Sequence, residues 1–266
     1  MIEIRDLSVT YTRATDRGAG SETEAVRGLS LTLRKGELCA LAGESGSGKS
    51  TVLMSIPGLL PAGTRVGGEI LLDGTNLLSL NEDELNELRW RRIAIVPQGA
   101  MNSFTPVITV GAHVEEVLDI HLGMTGQAAS ERTERLFASA GLDPSCADRY
   151  PHELSGGQKQ RAAIALALAC DPDWLLCDEP TTALDVVTQK AIIDELKGLV
   201  ESSGVGMLLV SHDLPLAASA CSRLLIMKDG ELAEEGTPGE IVARPKSEHS
   251  AELVNALLDL EREGER

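Results

Sequence analysis

"LCALAGESGSGKST", residues 38–51, decides the fold. Its first half, Leu38–Gly43, is an unbroken apolar run ending in glycine. That is the pattern of a strand buried on both faces of a parallel sheet. Its second half, Gly43–Thr51, fits G-x-x-x-x-G-K-[ST] at every fixed position and passes straight into a helical stretch, the context that this motif requires. Glycines let the chain wrap a triphosphate with its N–H groups, and the helix that follows turns its positive dipole end toward the anion. The candidate phosphate-binding residues are therefore Gly43, Glu44, Ser45, Gly46, Ser47, Gly48, Lys49, Ser50 and Thr51. Lys49 is expected to reach the β/γ-phosphates, Ser50 to ligate Mg²⁺ and Thr51 to add phosphate contacts. A glycine-rich turn with no ligand is the competing reading.

Working outward, "IEIRDLSVTYT" alternates apolar and polar residues, with one slip near Arg5-Asp6, and reads as a half-buried strand. Residues 13–25 are polar and Gly-rich, hence an expected loop. "VRGLSLTLRKGE" alternates again. The helix over 49–60 should end or kink near Pro57, which denies a backbone hydrogen bond. "GGEILLDGTNL" has hairpin character around Asp73-Gly74. A charged amphipathic helix is expected over 81–92, with Asn81 and Glu84 as a capping box. "IAIVPQ", "DWLLCDEP" and "GMLLVSHD" are short buried strands. The stretch from about 107 to 170 is mainly helical, 188–204 is an amphipathic helix ending in Gly, and 223–236 is a hairpin turning at Asp229-Gly230. One helix is expected in the last thirty residues. Apolar strands alternating with helices imply a parallel α/β sheet, and the central helical block looks like an insertion into it.

Two acids end the strand at 173–180. Asp178, at the expected neighbourhood of the phosphate loop, would hold Mg²⁺ directly or through water. Glu179, one residue nearer the mouth, is placed to act as general base on an attacking water. Acids at a strand end are otherwise usually just solvated.

A third element is "LSGGQ", residues 154–158. The phosphate-loop motif at 43–51, "LSGGQ" and "LLCDEP" (175–180), in this order and spacing, resemble the ATP-binding cassette (ABC) ATPases over about residues 2 to 245. The resemblance implies a P-loop NTPase (RecA-like) α/β fold: a parallel-sheet core with an N-terminal antiparallel β subdomain and an inserted α-helical subdomain. The cassette would span 1–245, with helices inserted at about 99–165, and 246–266 would form a helical acidic tail. It also implies further roles. Gln98 matches the Q-loop glutamine, which reaches the Mg²⁺ and water. Asp185, in "ALD", matches the D-loop near a dimer interface. His212 matches the switch histidine that contacts the γ-phosphate. Tyr11 matches the aromatic that stacks on adenine, although its alternation with Leu7 and Val9 also suits a core position. Ser155, Gly156, Gly157 and Gln158 would close over ATP held by a second ABC ATPase subunit, identical or homologous, paired head to tail.

Among ABC proteins, "GESGSGKS", "PQGAMNSFTPVITVG", "YPHELSGGQKQRAAIALAL" and "DEPTTALDVVTQ" look closest to the peptide/nickel importer ATPases. Phe104-Thr105-Pro106 departs from the usual Leu-Asn-Pro, and no C-terminal cysteine cluster is present. The implied partners are two integral-membrane permease subunits and, indirectly, an extracytoplasmic substrate-binding protein. The implied location is the cytoplasmic face of the cell membrane, and the implied cofactors are ATP and Mg²⁺.

Composition agrees with this. The chain has 266 residues, 42% hydrophobic and 24% charged, ordinary values for a globular protein. A net charge of −17 argues against nucleic acid as partner and against docking on anionic lipid. Residues 231–266 carry ten acids against four bases, which reads as a solvated acidic end. The five cysteines lack any C-x-x-C pair and mostly sit in apolar runs, as small buried hydrophobes do. "MIEIRDLSVTY" is not expected to be a signal peptide, and no apolar run is long enough to span a bilayer. A soluble ABC ATPase of DNA repair or translation usually carries two cassettes or long coiled-coil or basic insertions, which are not visible here. A non-hydrolysing regulatory subunit is opposed by the joint presence of Lys49, Gln98, Asp178, Glu179 and His212.

Overall fold

The computed structural model describes residues 1–13 and 21–255. Its contacts divide into two compact units, Met1–Leu85 with Leu208–Arg266, and Asn86–Met207.

The first unit opens with β1 (Ile2–Arg13) and β2 (Ser21–Leu33), paired antiparallel. The expected slip is present: Asp6 has φ 50°, and the register shifts between Ile4 and Leu7. The expected loop over 13–25 is corrected. Residues 14–20 lie outside the described residues, but Ser21–Ala25 already belong to β2. Four of those five residues are exposed, so this end of the ribbon meets water and carries polar side chains without ceasing to be a strand. β3 (Leu38–Gly43) is buried along its whole length, as its apolar run requires. α1 (Lys49–Ser55) stops before Pro57, and Gly58 turns the chain with φ 69°. β4 (Arg65–Leu72) and β5 (Thr75–Asn76) form the expected hairpin, with Asp73 and Gly74 at φ 48° and 90°. A two-residue hairpin turn of type I′ needs positive φ at both central residues. Sheet order here is β2-β1-β4-β5.

Within α2 (Glu82–Leu88) the chain passes into the second unit. Its capping box forms as expected: Asn81 N–H donates to Glu84 Oε2 and Glu84 N–H to Asn81 Oδ1. The helix ends four residues earlier than expected, because Trp90 adopts φ 67° and its N–H bonds Ile93 O instead of continuing the helix. β6 (Ile93–Val96) runs parallel to β7 (Trp174–Asp178). Between them in sequence lie α3 (Val110–Leu122), α4 (Gly126–Ser139) and α5 (Gly156–Ala167). After β7 comes α6 (Val186–Ser203), which starts two residues earlier than expected because Asp185 caps it, accepting from Thr188 N–H.

β8 (Gly206–Ser211) brings the chain back to the first unit, followed by α7 (Leu214–Ala220), β9 (Arg223–Lys228), β10 (Glu231–Gly236) and α8 (Pro238–Ala243). There β10-β9-β3-β8 lie side by side, with β3 and β9 parallel and β9 and β10 antiparallel. The expectation of one C-terminal helix is also corrected: a second helical segment covers 248–255. Pro245 separates the two, and Arg244 before it leaves the helical conformation (φ −150°, ψ 71°). The rest of the expected tail, 256–266, lies outside the described residues.

Continuous apolar strands build the core of each unit: in the first, β3 and β8 are buried throughout and β9 all but Lys228, and in the second, β7 is buried throughout. All five cysteines are buried thiols. Burial pushes the Cys39 thiol up to about 12 and raises those of Cys177 and Cys221 further. One polar cluster sits at the edge of this core. Arg223 grips Glu37 through Nε and Nη2, both at 2.9 Å, Glu235 through Nη1 at 2.6 Å, and Thr32 O through Nη2 at 2.5 Å. One buried guanidinium thus ties β9 and β10 to the end of β2 and the turn before β3.

Two stability predictions follow from these contacts. Replacing Arg223 by Ala takes two donors from Glu37, leaving it the Arg34 N–H, and urea titration should show a loss of about 2–3 kcal/mol, with Arg223→Lys intermediate. Asp185 is held below the usual carboxylate range by hydrogen bonds from the Thr188 side chain and backbone. Its capping contribution is therefore present above an ordinary Asp value of about 4 and is lost as pH falls through its depressed value. The difference in melting temperature between wild type and Asp185→Ala should be largest at neutral pH and shrink on acidification.

Candidate functional site

In the first unit the phosphate-loop residues form a tight turn between β3 and α1. Gly43, Gly46 and Gly48 adopt φ of 151°, 84° and 100°, values that side-chain-bearing residues avoid. Space forbids side chains at two of them as well. A methyl at Gly43 would strike Met227 O, and one at Gly48 would strike Ala25 O. The loop is fastened from outside by Gly230 N–H on Ser47 O (3.1 Å) and from inside by Ser47 N–H on Glu44 O (3.2 Å). Lys49, only 5% exposed, curls its ammonium into this turn. Nζ donates to Gly43 O (2.8 Å) and Glu44 O (2.6 Å) and lies 3.4 Å from Ser47 Oγ. Glu44, Ser45 and Gly46 form the exposed rim, and Ser50 and Thr51 lie in the first turn of α1.

Tyr11 is half-buried on β1, and its hydroxyl lies 3.0 Å from Thr51 Oγ1. It is thus placed beside the start of α1 rather than in the core. His212 is exposed at the end of β8. The turn carrying it is shaped by its neighbours: Asp213 N–H donates to Ser211 Oγ (2.9 Å), and Asp213 caps α7.

In the second unit β7 delivers two acids into different surroundings. Asp178 is buried (2% exposed), whereas Glu179 is half-buried with φ 48°. That left-handed backbone is costly for a residue with a side chain and persists only where surrounding contacts hold it. Two such contacts converge on one carboxylate oxygen. Gln98 Nε2 donates to Glu179 Oε2 at 3.1 Å, and Thr182 Oγ1 donates to the same atom at 2.9 Å. Gln98 and Glu179 are 81 residues apart in sequence and are brought together here. Thr182 was not singled out from the sequence. Its signal is its spacing, three residues after Glu179 in "EPTT", where a one-turn reach returns its hydroxyl to the acid.

Ser155 caps α5 in a reciprocal box: Gln158 N–H donates to Ser155 Oγ (3.3 Å), and Ser155 N–H to Gln158 Oε1 (2.9 Å). Gly156 and Gly157 form the first two residues of the helix, so their N–H groups are among those a helix start leaves unpaired. Asp185 holds Thr188 through both oxygens: N–H on Oδ1 at 3.0 Å and Oγ1 on Oδ2 at 2.7 Å.

The family described as ABC transporter matches residues 26–182. The oligopeptide transport ATP-binding protein OppD of Salmonella typhimurium is 39% identical over 267 residues, covering 99% of this chain and 78% of that protein. OppD of Mycobacterium tuberculosis is also 39% identical over 264 residues, but this chain spans only 42% of its length. Among solved structures, the ATP-binding cassette MJ0796, a dimer in a post-hydrolysis state bound to ADP and Pi, superposes with a TM-score of 0.78 at 33% identity, covering 90% of this chain and 99% of that one. The fold shared with that cassette is the P-loop NTPase α/β fold that the resemblance of the motifs at 43–51, 154–158 and 175–180 implies. With a family match over more than half its length and relatives at this identity, the chain belongs to the ABC transporter family.

Proposed function

We propose that the chain is the ATP-hydrolysing subunit of an ABC importer that takes up peptides through separate membrane permease subunits. The observation that carries this reading is the Lys49-bearing phosphate loop, in a chain whose relatives are named oligopeptide and dipeptide transport ATP-binding proteins. Nickel, allowed by the sequence resemblance, has no such support among those names. Among the described residues no helix is long and apolar enough to cross a membrane.

The loop N–H groups and Lys49 would bind the ATP phosphates. Lys49 now points at carbonyl oxygens of its own loop, and a phosphate oxygen is the stronger acceptor that would draw it outward. Tyr11, on β1 beside the start of α1, would meet the base. Ser50, Gln98 and Asp178 offer a hydroxyl, an amide oxygen and a carboxylate, an all-oxygen set that suits Mg²⁺. Gln98 turns its Nε2 to Glu179, which leaves Oε1 as its atom for a cation. When bound, Mg²⁺ would neutralise phosphate charge. Glu179 would take the proton from a water whose oxygen attacks the γ-phosphorus as the bond to the bridging oxygen breaks. His212 would hold the γ-phosphate. Ser155, Gly156, Gly157 and Gln158 would close over ATP bound by a second cassette, with Asp185 near the same interface.

Two substitutions test these roles. Glu179→Gln should lower ATP turnover by at least about a hundredfold while retaining an ATP-bound dimer on size exclusion; turnover near the wild-type rate removes Glu179 as the base. Ser155→Arg should leave ATP binding by the isolated chain intact and block hydrolysis by the assembled pair. Unimpaired hydrolysis there would show that this turn does not close over nucleotide.

A further inference from the structure

Gly157 poses a question that phosphate binding does not answer. It sits in the first turn of α5 with ordinary helical backbone, where alanine is conformationally preferred. A methyl at this position would nonetheless lie 2.7 Å from Thr188 Cγ2, well inside contact distance. Thr188 cannot easily swing away. Its hydroxyl donates to Asp185 Oδ2 and its N–H to Oδ1, which fixes the rotamer that aims Cγ2 at Gly157. The neighbouring Gly156 is exposed and less tightly approached: a methyl there would lie 3.3 Å from Leu184 Cδ2 and from Met101 Sδ. The glycines of the Ser155–Gln158 turn thus pack against the chain's own Leu184–Thr188 segment. That segment leads directly back to Glu179 through the turns Thr182 N–H on Glu179 O and Leu184 N–H on Thr181 O.

We propose that Thr188 is a positioning residue: its methyl, seated on Gly157, makes the Ser155–Gln158 turn and the Asp185 turn one mechanical unit within this chain. Displacement of the first turn by an arriving phosphate is then passed, through Thr188 and Asp185, to the stretch that carries Glu179. This rests on the reading of the chain as an ATPase.

The test moves the methyl across the contact. Thr188→Ser removes Cγ2 but keeps both bonds to Asp185, and Gly157→Ala supplies a methyl from the other side. ATPase rate at saturating ATP, apparent KM and melting temperature are measured for wild type, each single variant and the double variant. Each single variant should lower kcat, Gly157→Ala by about tenfold, with KM little changed, and the double variant should lie closer to wild type than either. A double variant no better than the worse single, or Gly157→Ala at the wild-type rate, overturns the proposal. If Gly157→Ala alone fails to fold, a folded and active double variant supports it, and an unfolded one overturns it. A wild-type chain without ATPase activity would instead count against the functional reading, while the melting temperatures still test the contact.

Discussion

The ammonium of Lys49, enclosed by carbonyl oxygens of its own loop, is the interaction around which the phosphate loop is built. Burying a cation is costly unless fixed dipoles replace the lost water. Gly43 O and Glu44 O supply those dipoles, and the positive φ of Gly43, Gly46 and Gly48 shapes the turn that presents them. Those conformations in turn are held by elements far away in sequence. The β9–β10 turn bonds Ser47 O through Gly230, and the carbonyls of Ala25 and Met227 close the space around Gly48 and Gly43. The loop is therefore not a local motif that any strand and helix could carry. It is cast by its surroundings, with β2 and β9 supplying the walls.

The second unit applies the same logic to an anion. The Glu179 carboxylate is kept in strained backbone by two donors on one oxygen, and neither donor lies on β7. One comes from the residue after β6 and Pro97, the other from the turn that follows the acid. Helix caps do the remaining fastening. Ser155 accepts from Gln158 N–H at the start of α5, and Asp185 from Thr188 N–H at the start of α6, which helps to set where both turns stand.

Much of this was legible in the sequence because it is local. Alternation or apolar runs located the strands, Asn81 with Glu84 announced a cap, and Asp73-Gly74 and Asp229-Gly230 announced turns. The phosphate loop was readable because its glycines, lysine and hydroxyls are contiguous. What escaped was either exposed or distant. Ser21–Ala25 read as loop because a strand end facing water has a loop's composition. Trp90 gave no sign that it would take a left-handed conformation and stop α2. The Arg223–Glu37 pair joins residues 186 apart, and no spacing rule links Gly157 to Thr188. The bond from Gln98 to Glu179 became an expectation only as shared chemistry around one ligand, not as a contact.

The buried cysteines carry a practical corollary. Thiol-directed reagents attack the thiolate, and burial keeps Cys39, Cys177 and Cys221 protonated at neutral pH. Cys146 and Cys170 are likewise buried and shifted the same way. The natural sequence is thus already a quiet background for site-directed labelling. A single cysteine introduced on an exposed turn would carry a fluorophore or spin label alone, without first stripping the core of its five thiols.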